Sequence, residues 1–279
     1  MIVYSENFVF PSAQAQLGLN NPLVGWHNIV TGTNISSTTE QEGSPASNLA
    51  TPMTYHRWYG LNTVGYQYIT VLNSPNEDLD YLAVAGHNFS TGGFAVSVEG
   101  ALTINSDGDF DWETISPEVI LPDDGPLLVR FTSAPYLAVR LAILGPGASD
   151  TDPYAAVMYV GRLLVLPRRI YVGHAPMTLN TKTEALTGFS ETGEFLGRVI
   201  RRQSTPGSID MHNINPAFYR TYMKPWITAA QTLPFFFAWR PFTYSTEVAF
   251  CWGMDDGRVS NESSNGFMQL SLTLQGHVG

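Results

Sequence analysis

Asp80-Tyr-Leu-Ala-Val-Ala-Gly-His-Asn-Phe-Ser90, followed after two residues by Gly93-Phe-Ala-Val-Ser-Val-Glu-Gly100, reads as strand, tight turn, strand. The apolar runs are short and bounded by residues that favour turns, the pattern of β-strands. Gly86 lets the chain reverse sharply, and the side chains of His87 and Asn88 can bond to loop backbone. Working outward, the same signature recurs in Tyr66-Gln-Tyr-Ile-Thr-Val-Leu72, Leu127-Leu-Val-Arg-Phe131, Tyr136-Leu-Ala-Val-Arg-Leu-Ala-Ile-Leu144 and Ala156-Val-Met-Tyr-Val-Gly-Arg-Leu-Leu-Val-Leu166. Between them, Ser106-Asp-Gly-Asp109 and Pro122-Asp-Asp-Gly-Pro126 read as tight turns. A parallel α/β fold needs helices between its strands. No amphipathic helical stretch separates these runs, so their spacing predicts a sandwich.

Upstream, residues 11–53 are rich in Ser, Thr, Asn and Pro and predict a loop-dominated approach, with two short strands around Trp26-His-Asn-Ile-Val30 and Asn34-Ile-Ser-Ser-Thr38. Downstream, a boundary is expected near Pro167-Arg-Arg169, with Arg169-Ile-Tyr-Val-Gly-His174 as a strand opening a second domain. Ser190-Glu-Thr-Gly-Glu194 predicts a hairpin tip leading into Phe195-Leu-Gly-Arg-Val-Ile-Arg-Arg202. Asn215-Pro216 is a helix start, with Asn as cap and Pro in the first turn. Phe218, Tyr222, Trp226 and Ala229 or Ala230 then form one apolar face of a helix over about 216–232, which Pro225 should kink or split. Pro234-Phe-Phe-Phe-Ala-Trp-Arg-Pro241, Glu247-Val-Ala-Phe-Cys-Trp252 and Met268-Gln-Leu-Ser-Leu-Thr-Leu274 close the chain as strands. The expected fold class is therefore mainly β, with domains at 1–168 and 169–279, the second carrying one short kinked helix. No repeat, heptad or low-complexity block occurs.

The 279 residues are 44% hydrophobic and only 14% charged, against roughly 25% charged in an average soluble protein. Such a surface suits burial against other copies of the chain, or a polar surface rich in Ser, Thr and Asn. Residues 1–150 carry 3 Lys+Arg against 15 Asp+Glu, and residues 151–279 carry 11 against 9. This asymmetry can orient subunits head to tail, and it argues against nucleic-acid recognition by the first half, since phosphates must be met by cations. It can equally reflect two domains with different surfaces. The N-terminus shows no basic segment followed by an apolar core, and no run of about 18 apolar residues exists. Synthesis in the cytoplasm and no membrane span are the expectations.

Residue types that carry chemistry are present, but few fall at a telling spacing. Cys251 is the one cysteine, set in an apolar run, and is expected to be buried and inert. The six histidines, at 27, 56, 87, 174, 212 and 277, include no pair three or four apart. Asp107-Gly-Asp-Phe-Asp-Trp-Glu113 offers Asp107, Asp109 and Asp111 as candidate calcium ligands. The loop departs from an EF-hand, lacking the Gly and the twelfth-position Glu, and a solvated hairpin tip guarding a sheet edge is preferred. There is no Gly-x-Ser-x-Gly elbow, phosphate loop or dinucleotide motif. No enzyme activity and no cofactor are expected. His56, Trp58, Tyr59, Tyr66 and Tyr68 could form a sugar-stacking surface, although core packing also explains them. Arg198, Arg201 and Arg202 form a basic cluster on one strand, expected to protect an edge or pair with another subunit. Sequons at Asn34, Asn88 and Asn261 are three-residue patterns that carry little weight.

The stretch Asp80–Ser90 with Gly93–Gly100 and Asn105-Ser-Asp-Gly-Asp-Phe-Asp-Trp112 resembles the core of discoidin-type, galactose-binding-like jelly rolls of phage tail proteins. Ser44-Pro-Ala-Ser-Asn-Leu49 with Trp58 downstream resembles the opening of that module, and the likeness covers roughly 25–168. The second part resembles the C-terminal region of siphophage distal-tail or minor-tail proteins, in the order hairpin, helix, Pro-Phe-Phe-Phe-x-Trp-x-Pro. The resemblance implies a non-enzymatic virion component at the tail tip, made in the host cytoplasm. It would form a ring with other copies of itself between the tail tube and the tail hub or receptor-binding tip. The alternative it leaves open is a lectin-like module binding a host cell-surface glycan. It carries over no catalytic or ligand residues.

Overall fold

Leu79–Ala85 lies at the centre of the molecule because both of its faces are apolar, and all seven of its residues are buried. Successive side chains of a strand point to opposite sides. Leu82 and Val84 enter one core, while Tyr81, Ala83 and Ala85 enter another. The computed structural model in which this is seen describes residues 1–6, 8, 18–61, 65–147, 151–170, 174–262 and 266–277.

Leu79–Ala85 belongs to a four-stranded middle sheet, flanked by Leu127–Ala134 and Val157–Gly161, with Ile2–Tyr4 added in parallel at one edge. An outer sheet packs on one side of it, ordered Ile35–Ser37, Tyr66–Leu72, Ala138–Leu144, Ala95–Ile104 and Phe110–Thr114, with Val119–Ile120 also pairing to Ala95–Ile104. Together they make the jelly-roll sandwich, closed around Trp58, Ile69, Val98, Phe131 and Leu141. Gly86 has φ +66, which glycine adopts freely, and so turns the chain out of the central strand. Asn88 then anchors the loop, donating to the carbonyl of Asp152 and accepting from the N–H of Tyr154, each at 2.8 Å.

On its other side the middle sheet meets a third sheet, ordered Leu164–Val165, Leu23–Gly25, Phe235–Ala238, Val248–Gly253, Met268–Gly276, Phe195–Ile214 and Lys182–Phe189, with Arg258–Asn261 also pairing to Met268–Gly276. Phe236, Phe250 and Tyr159 pack together between these two sheets. Close approach depends on Gly25, where a Cβ would lie 2.8 Å from the Tyr81 ring. The Tyr81 hydroxyl donates to the His27 carbonyl at 2.6 Å. The third sheet takes Leu23–Gly25 and Leu164–Val165 from before residue 168, so the two halves of the chain share a sheet as well as a core.

A helical segment covers the far face of the third sheet. Asn215 caps it as the sequence predicts, its side chain accepting from the N–H groups of Ala217 and Phe218. Pro225 is accommodated by a change of helical type: α over Pro216–Phe218, a wide π turn over Tyr219–Met223, then α again over Lys224–Ala230. Pro225 thereby falls in the first turn of the second α stretch, where a missing N–H costs little. The π turn corrects the expected apolar face, because each residue it adds rotates the remainder of the helix about its axis. Met223, Trp226, Ile227 and Ala230 are buried, whereas Tyr222 is exposed.

The protein is mainly β, a jelly roll joined to a further sheet with one short interrupted helix, as its sequence predicts. The strand expected around Trp26–Val30 falls earlier, at Leu23–Gly25, where the register of Phe235–Ala238 places it. The strand expected at 169–174 lies partly outside the described residues, and Arg169, Ile170 and His174 are not in strand conformation.

Candidate functional site

Phe195–Ile214 is twenty residues long, but the third sheet holds only its second half. Pairing with Met268–Gly276 begins at Thr205, and residues 195–204 pair only with Lys182–Phe189. The result is a two-stranded arm, roughly 25–30 Å long at about 3.3 Å per residue. The Ser190 hydroxyl accepts the N–H of Glu194 at 3.0 Å and so tightens its tip. Leu186 opposes Val199 and Ala185 opposes Ile200, so consecutive pairs place apolar groups on both faces. Leu186, Phe189, Phe195, Leu196, Val199 and Ile200 are 57–68% exposed. Arg202 bonds across the arm to Glu184 at 2.7 Å, and this bond holds the Glu184 carboxyl below its usual range.

A second feature lies on the solvent face of the outer sheet. Tyr66 and Tyr68 stack at 6.0 Å with 18° between planes, and the Arg140 guanidinium sits 3.8 Å from the Tyr68 ring centre. The same guanidinium is 4.1 Å from the Trp112 ring, which contacts Phe110 at 5.5 Å. Glu99 fixes Arg140 through Nε at 2.6 Å and Nη2 at 2.5 Å, and the Tyr66 hydroxyl donates to Glu118 at 2.8 Å. Four rings and one cation from three strands thus form a ladder that spans four strands of the outer sheet, Ala95–Ile104 lying between and supplying Glu99. Such a surface can stack on apolar ring faces and accept hydroxyl hydrogen bonds.

The structure separates the five residues that the sequence groups as one sugar-stacking surface. Tyr66 and Tyr68 lie on the ladder. Trp58 is wholly buried, its indole N–H shared between the Ser37 hydroxyl and the Thr39 carbonyl. Tyr59 packs against Tyr154, and His56 against Tyr55. Arg140, Trp112 and Phe110 complete the ladder, and sequence reasoning missed all three. A lone arginine inside Tyr136–Leu144 and a tryptophan among carboxylates were the available signals.

Asp107, Asp109 and Asp111 are exposed. Asp107 and Asp109 lie in a turn organised by Asn105, whose side-chain oxygen accepts both of their N–H groups, while Asp111 sits on the following strand. They do not line one strand face, and among the described residues no group of three or more His, Cys, Asp or Glu could hold a metal. Cys251 is fully buried, its thiol pKa pushed up by desolvation. Asn34 and Asn88 are buried and bonded to backbone, so neither presents a free amide. Among the described residues, no helix is long and apolar enough to cross a membrane.

No family model and no curated protein matches the chain. Among solved structures it is similar to chitosan-binding module 1 of a chitosanase/glucanase from Paenibacillus sp. IK-5, at 16% identity, covering 49% of this chain and 99% of that one, with TM-score 0.41. It is also similar to CBM32-3 of a family 31 glycoside hydrolase from Clostridium perfringens, at 14% identity, 48% and 94% coverage, and TM-score 0.37. A pectin-binding carbohydrate binding module matches at 10% identity, 49% and 91% coverage, and TM-score 0.35. Likeness at this level describes shape over half the chain and nothing of ligands or partners.

Proposed function

We propose that the protein is a non-catalytic assembly component whose arm is covered by a second copy of the chain, within a ring at a bacteriophage tail tip that joins the tail tube to the receptor-binding end. The observation that supports assembly is the arm itself. A two-stranded ribbon with no layer against either face is marginal in water. Six large apolar side chains on it leave considerable area to bury, at about 25 cal/mol per Å². The occupant is a sister copy because the charges match. The arm carries four cations, Lys182, Arg198, Arg201 and Arg202, against three acids, Glu184, Glu191 and Glu194, a net charge of +1 with Arg202 already bonded to Glu184, while residues 1–150 hold twelve more acids than bases, with Asp107, Asp109, Asp111 and Glu113 exposed on one hairpin. Head-to-tail contact brings the two together. The tail-tip half of the proposal rests on the sequence resemblance alone.

Sedimentation of the full chain across micromolar concentrations tests the first half. A discrete oligomer is expected, reduced to monomer by Arg198→Glu with Arg201→Glu and restored when Asp109 and Asp111 are changed to Lys in the same chain. A protein that stays monomeric throughout, or an oligomer indifferent to these changes, overturns it. Antibody labelling of virions tests the second, since label anywhere but the distal tail removes that assignment.

A second reading, glycan binding by the sandwich, is favoured by the Tyr66, Tyr68, Arg140, Trp112 and Phe110 ladder. A glycan array probed with the full chain and with Trp112→Ala checks it, and signal unchanged by the substitution would reject the ladder as the site.

A further inference from the structure

Between the sandwich and the helical segment lies a cleft of about 520 Å³ that neither the arm nor the ladder uses. Phe218 and Tyr222 line it with their ring centres 5.1 Å apart, and Trp26 lines it as well. The π turn over Tyr219–Met223 keeps Tyr222 on the cleft side, out of the helix core. π turns of this kind recur at functional sites. The lining also includes Asp78, Asp80 and Arg162.

Its charges do not balance. Arg162 is taken up by Glu77 at 2.7 Å, and the other Glu77 oxygen is 3.4 Å from His27 Nε2. Burial lowers the His27 pKa, which keeps that ring neutral at pH 7. Asp80 is 5% exposed and accepts the Leu163 N–H at 2.7 Å, with Arg130 close enough to favour its charge. Desolvation nevertheless raises its pKa to about 6, still ionised at neutral pH. Behind the lining, Glu77 thus takes up Arg162 and Arg130 lies near Asp80, while Asp78, a solvent-exposed lining residue, belongs to no ion pair among the described residues. One negative charge is left over beside three aromatic rings.

We propose that this cleft binds an organic ammonium group, its positive charge answering the unmatched carboxylate and its carbon framework lying against Trp26, Phe218 and Tyr222. Aromatic faces attract such cations. A few placed polar groups in an apolar concavity then fix orientation. The ammonium could belong to an amino sugar or to a quaternary amine, and the site's chemistry is common to both.

Calorimetry on the full chain, with glucosamine, choline and N-acetylglucosamine as probes, tests this. Saturable binding in the millimolar range or tighter is expected for at least one amine, with the neutral N-acetylglucosamine at least tenfold weaker. Preference for glucosamine identifies a hydroxylated ring, and preference for choline identifies a quaternary headgroup. Asp78→Asn and Tyr222→Ala alter side chains outside the core, so the fold is retained, and each should weaken binding about tenfold without changing the oligomer. Absence of binding by both amines, equal binding of N-acetylglucosamine, or indifference to both substitutions overturns the proposal. The arm variants do not touch the cleft, so this outcome is independent of the assembly reading.

Discussion

The central strand Leu79–Ala85 and the arm at residues 182–204 are both β ribbon carrying large apolar side chains, yet every residue of the first is buried and most residues of the second face solvent. The central strand has a sheet against each face. The arm has none. Apolar character therefore states a demand for cover, and only the layers built around a segment decide whether the chain meets that demand itself.

One kind of substitution applied to both places gives the sharpest contrast. Ala83→Asp puts a carboxylate between the middle and third sheets with no partner, and should cost about 4 kcal/mol or more, enough to abolish folding. Circular dichroism and solubility would show it, and a folded Ala83→Asp protein would mean that the two sheets separate. A smaller effect concerns protonation at the sandwich loops. His87 is buried against Phe89, 4.5 Å apart and 8° from parallel, with its pKa lowered from 6.5 to about 4 by desolvation. The unfolded chain takes up that proton near pH 6.5 and the folded chain resists it, so this contribution to stability is complete above pH 6.5 and lost as pH falls toward 4, by about 3 kcal/mol at most. Urea midpoints of His87→Phe and wild type should diverge across that window, and parallel curves would place the histidine in water. Asn88→Ala removes both bonds to residues 152 and 154 and should cost about 1–3 kcal/mol by the same measurement. At the small end, Val199→Asp should leave monomer stability within about 0.5 kcal/mol while removing association. Loss of monomer stability in that variant would show that the arm is already covered within one chain.

Much of the sandwich was legible because its strands announce themselves locally: Tyr66–Leu72 and Ala138–Leu144 alternate or run apolar between turn residues. The hairpin tip at 190–194 and the Asn215 cap were legible for the same reason. The features that escaped depend on distant partners. Leu23–Gly25 is three residues long and becomes a strand because Phe235–Ala238 supplies a ladder for it, and the run read as one strand over 156–166 breaks so that Val157–Gly161 stays in the middle sheet while Leu164–Val165 pairs with Leu23–Gly25 in the third. The π turn put Met223 in place of Tyr222 in the buried stripe while Trp226 and Ala230 stayed in it, a local shift that 3.6-residue periodicity does not contain. For sites, Trp58 and Trp112 are the pair to compare. One is core and the other lies on the solvent face of the outer sheet, and the carboxylates on either side of Trp112 were the local sign that separated them.

The core shared by the middle and third sheets bears on how the chain can be cut. A fragment ending at residue 168 would strip Phe236 and Phe250 from Tyr81, Ala83 and Tyr159 and present a bare apolar sheet to solvent. Heating should accordingly melt both halves in a single calorimetric peak, and expression of the jelly roll by itself should yield aggregate.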